Sequence, residues 1–264
     1  MRTKVAVIMN MAVISIVTPI MAGITGREVI EKSYEVTKLA GTEAVMSMTI
    51  ADGRGRERVR KTAQVSKLYD DGETEKKLIR FLEPADVKGT GFLTCDYENK
   101  DDDKWLFMPA LRKTRRIVSS EKGKSFMGSE FTYGDITRPN LDEFSYELLA
   151  EETVGDVACY KVQLLPADEE IADANGFSRK ISWIGKEDFV LRKSLYFDLD
   201  GELHRELEVG KIVKLDKKLQ RYKITEMVMT NKQNGRVSTF VTEQIKFSPD
   251  LPDEYFSLRY LERQ

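Results

Sequence analysis

The feature that most limits what this chain can fold into is a change of hydrophobic period near residue 41. Beyond it, apolar and polar residues alternate in short runs. Turn dipeptides separate the runs, at Asp52-Gly53, Asp71-Gly72, Gly155-Asp156, Asp200-Gly201 and Asn234-Gly235. Met46, Met48 and Ile50 alternate with Ser47 and Thr49, and Tyr160, Val162 and Leu164 alternate with Lys161 and Gln163. Val237, Val241, Ile245 and Phe247 share one face of a later run. A period of two marks a strand with one buried face, and short turns between such strands make antiparallel hairpins. Residues 43 to 248 are therefore expected to form about ten or eleven strands, a mainly β (α+β) chain. A sheet of that size must close, stack or have its concave face covered.

Before the change of period, Thr25 and Glu28 stand at capping-box spacing, and Val29, Ile30 and Tyr34 follow at helical spacing as far as Gly41. This predicts a helix over about 26–40. Upstream, Met1-Arg2-Thr3-Lys4 is a cationic head to the apolar run Val5 to Val17, and small residues follow at Ala22 and Gly23. That order predicts a signal peptide over 1–22, and so a protein that is exported and soluble after export. With no repeat and no low-complexity linker, residues 23–264 read as a single domain.

Charge and composition exclude several classes of function. Lys and Arg number 42 against 44 Asp and Glu, so the balance is not that of a nucleic-acid binder. One histidine, His204, and two cysteines, Cys95 and Cys159, cannot build a Cys/His metal cage. His204 reads as a surface residue on a charged strand. No nucleophile elbow accompanies it, so no catalytic constellation and no cofactor site is expected. Asp101-Asp102-Asp103 lacks the spacing and closing glutamate of a calcium loop and reads as a solvated turn. The acidic stretch Asp168 to Asp173 reads as an exposed loop. In an exported chain Cys95 and Cys159 could pair or could be two buried thiols, and both readings stand.

Two features suggest binding. Outside residues 1–22 there are six methionines, and Met46/Met48 and Met227/Met229 each project from one strand face. Thioethers suit a surface that accepts chains of variable shape, or an ordinary core. The stretch from Trp105 to Tyr133 combines Trp105, Phe107, Met108, Phe126, Met127, Phe131 and Tyr133 with Arg112, Arg115 and Arg116, without steady alternation. It is expected to form the mouth of an apolar cavity, with Gly123 and Gly128 as hinges and the arginines at a rim that meets an anionic head or a partner.

Several stretches are familiar as a set: Lys88-Gly89-Thr90-Gly91-Phe92-Leu93, Asp102 through Leu111, Arg115-Arg116-Ile117, Ser125 through Ile136, and Leu251-Pro252-Asp253-Glu254-Tyr255-Phe256 with Arg259 through Arg263. Together they resemble the outer-membrane lipoprotein-sorting protein family, the LolA-like group, over nearly all of the chain after residue 22. The resemblance implies an incompletely closed antiparallel β-barrel whose helices and lid cover a cavity for acyl chains. It also implies a non-enzymatic carrier of lipid or lipoprotein acyl chains between an inner-membrane transporter and an outer-membrane acceptor. The Ser125 to Ile136 motif looks like a branch associated with resistance-nodulation-division exporters of hydrophobic compounds, so an accessory subunit of such an exporter is the alternative.

Overall fold

The computed structural model of the protein describes residues 23–98 and 100–263; the expected signal peptide lies outside them. The capping box at the chain's first helix forms as read. The Thr25 side chain accepts from the Glu28 amide, and Glu28 returns a bond to the Thr25 amide at 2.7 Å. This helix, α1, spans Gly26–Glu35 and is shorter than expected. It tightens at Thr37 and Lys38, whose amides bond back to Tyr34 and Glu35, and the Val36 carbonyl is taken by the Tyr222 amide of a distant strand.

Thirteen strands follow among the described residues, two or three more than expected. β1 (Gly41–Ala51), β2 (Glu57–Tyr69), β3 (Thr74–Glu83), β4 (Gly91–Tyr97), β5 (Asp103–Met108) and β6 (Lys113–Arg116) form one meander. β7 (Phe144–Val154), β8 (Val157–Pro166), β9 (Arg179–Gly185), β10 (Leu191–Phe197), β11 (Leu203–Asp216), β12 (Arg221–Asn231) and β13 (Val237–Phe247) form the second. β1 pairs with β13, joining the two meanders into one antiparallel sheet that does not close, with β6 and β7 as its edges. Residues 117–143 link those edges. The residues expected as an exposed acidic loop instead contain α2, Glu169–Asn175. Asp168 caps its first turn, and Gly176, at φ 70°, ends it in the left-handed region.

Three apolar clusters follow from the strand phases. The largest gathers inner-face residues of both meanders, among them Met48, Phe81, Phe92, Leu106, Tyr196, Leu207, Met229 and Phe240, around Phe126, Phe131 and Tyr133 of the linking segment. On the outer face, Leu78, Leu93 and Phe107 lie under Leu251, Phe256 and Leu261 of the C-terminal segment, which ends in α3 (Leu258–Leu261). Val29 and Ile30 of α1 pack on Val162, Leu164 and Ile184. No helix among the described residues is long and apolar enough to cross a membrane.

Cys95 on β4 and Cys159 on β8 are buried free thiols, and burial pushes both pKa values up. A reducing agent should therefore leave the thermal midpoint unchanged. A fall equivalent to the roughly 2–4 kcal/mol of a lost disulfide would show that they pair.

Candidate functional site

The linking segment forms a plug tied to the sheet by side chains from four strands or their ends. Its hairpin closes through the Phe126 amide on the Phe131 carbonyl, 2.7 Å, with Gly128 in the left-handed region at φ 78°. The Arg60 guanidinium of β2 donates to the Met127 carbonyl. Arg236 donates to the Gly128 carbonyl at 2.9 Å and pairs with Glu130 at 2.9 Å. Asn231 donates to the Glu130 carboxylate, and the Glu130 amide donates to Ser238 Oγ, both at 2.9 Å. Arg205 of β11 spans the plug's far end, donating to the Glu130 carbonyl at 2.9 Å and to Asp135 Oδ2 at 2.6 Å. Asp135 and Arg205 keep only 9% and 4% of their side-chain surface. Burial opposes ionisation of Asp135, but Arg205 and Lys180 outweigh it and hold its pKa below the ordinary carboxylate value. Gly123, expected as a hinge, is a close approach instead. A Cβ there would lie 2.8 Å from the backbone of Asn175 and Gly176, and its amide bonds the Ala174 carbonyl at 2.7 Å.

Between plug and sheet three adjoining pockets remain, and all three are lined by Asp135, Ile224 and Met227. One, of 140 Å³, lies among Met46, Ile79, Phe126, Ile136, Met227 and Phe240, with Thr62, Gln64, Lys77, Asp135 and Lys223 as its polar members. A second, of 230 Å³, adds Tyr34, Lys38, Glu75, Arg138 and Tyr222 on the side toward α1. A third, of 210 Å³, runs beneath Phe131, Phe144, Phe177 and Tyr196. Lys180 faces this last space, and burial pushes its pKa down to about 8. Two larger depressions, of 420 and 630 Å³, are lined mainly by charged residues such as Arg27, Glu31 and Lys32, or Asp52, Arg56 and Arg58. They cannot take hydrocarbon out of water, so the inner pockets form the candidate site.

The structure sorts the residues expected to act together. Met46, Met48, Met227 and Met229 all lie on the inner face. Met48, Phe240 and Met227 stand side by side on β1, β13 and β12. Met46 and Met227 line pocket walls, while Met48 and Met229 are fully buried. Phe126, Phe131 and Tyr133 are the buried body of the plug, and Met108 and Met127 pack against the same cluster.

Trp105 and Phe107 do not join them. Leu106 takes the inner phase of β5, so its neighbours face outward onto the C-terminal segment. None of Arg112, Arg115 and Arg116 lines the three pockets. Arg115 pairs with Glu121 at 2.9 Å, Arg116 with Asp103 at 2.6 Å, and Arg112 is an exposed turn residue at φ 49°. The expected single mouth is thus not assembled. The Asp101–Asp103 turn is also less solvated than expected, because Asp102 pairs at 2.6 Å with the buried Lys104. His204 is half-buried beside Asn231.

The charged residues facing inward are what sequence reasoning missed. Their signal is their phase: Lys223 stands two and four residues before Thr225 and Met227, Lys77 two before Ile79, and Arg205 two before Leu207. Among the described residues no cluster of His, Cys, Asp and Glu could hold a metal ion.

A family profile described only as that of an uncharacterized protein matches residues 73–263. No curated protein matches the sequence. Among solved structures, a domain from Vibrio parahaemolyticus, provisionally described as an outer membrane lipoprotein-sorting protein, superposes with a TM-score of 0.81. It is 26% identical over 90% of this chain and 98% of its own. A DUF1329 family protein from Desulfovibrio piger also reaches 0.81, at 28% identity over 89% of this chain and 97% of its own. A LolA superfamily protein from Nitrosomonas europaea has the same fold, with a TM-score of 0.65 at 22% identity over 90% of this chain and 100% of its own. The chain belongs to the family that the profile describes, and its structural neighbours are outer-membrane lipoprotein-sorting, DUF1329 and LolA superfamily proteins, whose fold it shares.

Proposed function

We propose that this protein is a non-enzymatic periplasmic carrier that holds acyl chains of a lipid or lipoprotein between sheet and plug and moves them between the inner and outer membranes. Residues 1–22 are its export signal and 23–264 its single carrier domain. The observation that supports this reading is the set of adjoining pockets around Met227, lined by thioether, aliphatic and aromatic side chains inside an unclosed LolA-like sheet. Each methylene taken from water is worth about 0.8 kcal/mol, so an acyl chain partitions into such a space without any energy-consuming step. A longer chain requires the plug over residues 117–136 to act as the lid and swing outward. Release then follows when an acceptor binds the chain more tightly.

A second reading, an accessory subunit of a resistance-nodulation-division exporter that carries nothing, is favoured by how fully Phe126, Phe131 and Tyr133 fill the interior. Native mass spectrometry of protein purified without detergent separates the two. Bound lipid, or uptake of added lipid, supports the carrier, and a species that never acquires lipid supports the accessory subunit. Met227→Gln should weaken binding of a fluorescent acyl-chain probe by about tenfold, because the amide leaves polar atoms facing hydrocarbon. Unchanged affinity would remove the pockets around Met227 from the site.

A further inference from the structure

The inner pockets are not uniformly apolar, and charged side chains line each of them. Lys77 and Lys223 both line the 140 Å³ space, with Thr62, Gln64, Met46, Phe126 and Phe240. Their partners differ. Lys77 donates to the Ile136 carbonyl at 3.2 Å and lies 3.9 Å from Glu75. Burial disfavours its charge, but Glu75, Asp96 and Asp102 outweigh that and keep it protonated.

Lys223 has neither a carboxylate within ion-pair distance nor a hydrogen bond from its ammonium among the described residues. Burial pushes its pKa down, and Lys77 pushes it further. The other charges facing this space and the adjoining 230 Å³ pocket are already engaged. Asp135 is held by Arg205 at 2.6 Å, Arg138 by Glu98 at 3.3 Å, and Lys38 by Glu35 at 3.0 Å. Glu75 stands beside Lys77. One ammonium facing a pocket of thioether, aliphatic and aromatic side chains is left uncommitted.

We propose, building on the carrier reading, that this pocket is a site for a single-chain anionic amphiphile. The carboxylate or phosphate head is received by Lys223 with Lys77, and the tail lies against Met46, Ile79, Phe126, Met227 and Phe240. An anion would relieve both the repulsion between the two ammoniums and the cost of holding Lys223 away from water, which a neutral head cannot do. Thr62 and Gln64, the cross-strand neighbours of Met46 and Ile79, add neutral hydrogen-bonding groups to the same wall. The space is narrow, with Phe126 and Phe240 on the side of the plug and of β13, so a tail longer than a few carbons continues into the adjoining 230 and 210 Å³ pockets that share Ile224 and Met227. Free phosphate does not fit this chemistry, because it would leave the apolar wall unused and face it with charge.

The test is calorimetric titration of delipidated protein with dodecanoate, dodecyl phosphate and dodecanol, which share one tail and differ in the head. At least one anion should bind on the order of tenfold more tightly than dodecanol, as expected for one charge-assisted contact. The anion that does so identifies the head. Lys223→Met should abolish that preference by weakening the anion relative to dodecanol, and Lys223→Arg should keep it. Because Lys223→Met removes a cation that burial penalises, its thermal midpoint should not fall. If it does fall, Lys77→Met gives the same comparison. Wild-type protein that binds all three alike, or a Lys223→Met protein that retains the preference, would overturn the head site and leave the carrier reading standing. Binding of none of the three would overturn both.

Discussion

Arg205→Ala is expected to destabilise the fold by about 3–5 kcal/mol, the usual cost of removing one partner from a buried ion pair. The guanidinium does two jobs that no neighbour can take over. It neutralises Asp135, and it also satisfies the Glu130 carbonyl at 2.9 Å. Its removal leaves a buried carboxylate and an unpaired backbone oxygen at the far end of the plug. Lys180 faces Asp135 but forms no bond to it within ion-pair distance, so its compensation is weak. Because Arg205 is what holds the Asp135 pKa down, the loss should be greatest near neutral pH and shrink in acid, where Asp135 takes up a proton. Asp135→Asn added to Arg205→Ala should recover part of the loss by removing the stranded charge. Denaturant titrations of the single and double variants decide the matter. A single-variant cost below about 1 kcal/mol would show that the plug is not anchored there. The same variant should also expose residues 124–135 to limited proteolysis, which links this anchor to the movable cover that the carrier reading needs.

Asp96→Asn should act in the opposite direction and stabilise the protein at pH 8. Asp96 lies on β4 opposite Glu75 and has no exposed surface. Its Oδ1 has no hydrogen-bond partner among the described residues, and its Oδ2 accepts only two long bonds, from Thr94 and the Arg138 amide, each 3.4 Å. Burial raises its pKa to about 7, with Lys77 opposing the rise. In the unfolded chain an aspartate titrates near 3.9, so between about pH 4 and pH 7 the folded state binds more protons than the unfolded one. Stability contributed by this group is therefore complete below about pH 4, falls as pH rises, and is lost above about pH 7. The size of the loss is of order 4 kcal/mol, less what Lys77 forfeits when its anionic neighbour goes. Thermal midpoints measured from pH 4 to pH 8 should fall for the wild type and stay flatter for Asp96→Asn, with the widest gap at pH 8. Parallel profiles would mean that Asp96 ionises as an ordinary surface aspartate.

How far the fold was legible follows from where each residue's partners lie. The capping box at Thr25 and Glu28 needs only local contacts, and it formed as read. Alternation in β1, β8 and β12 reports a single buried face, which is why the inward phase of Met46, Met48, Met227 and Met229 could be read from spacing alone. In β13 the reading fails: Ser238 and Phe240 are the buried, inward residues, Val237 and Val241 lie on the opposite face, and a register shift before Gln244 separates them from Ile245 and Phe247. β5 could not be phased that way. The plug covers its inner face and the C-terminal segment covers its outer one, so Trp105, Leu106, Phe107 and Met108 are all apolar. The short edge strand β6, Lys113–Arg116, has no buried residue and therefore no pattern to count.

By itself, then, the sequence determined an antiparallel, mostly β chain with one capped opening helix and a methionine-bearing inner face. These are matters of local period, capping and turn chemistry. The tertiary structure alone decided the pairing of β1 with β13, the passage of residues 117–143 between the two sheet edges, and the burial of Asp135, Arg205, Glu130 and Asn231 inside. Glu130 meets Asn231 across 101 residues and Asp135 meets Arg205 across 70. A buried charge is tolerated only where its partner stands, and at those separations only the folded sheet brings the partner there.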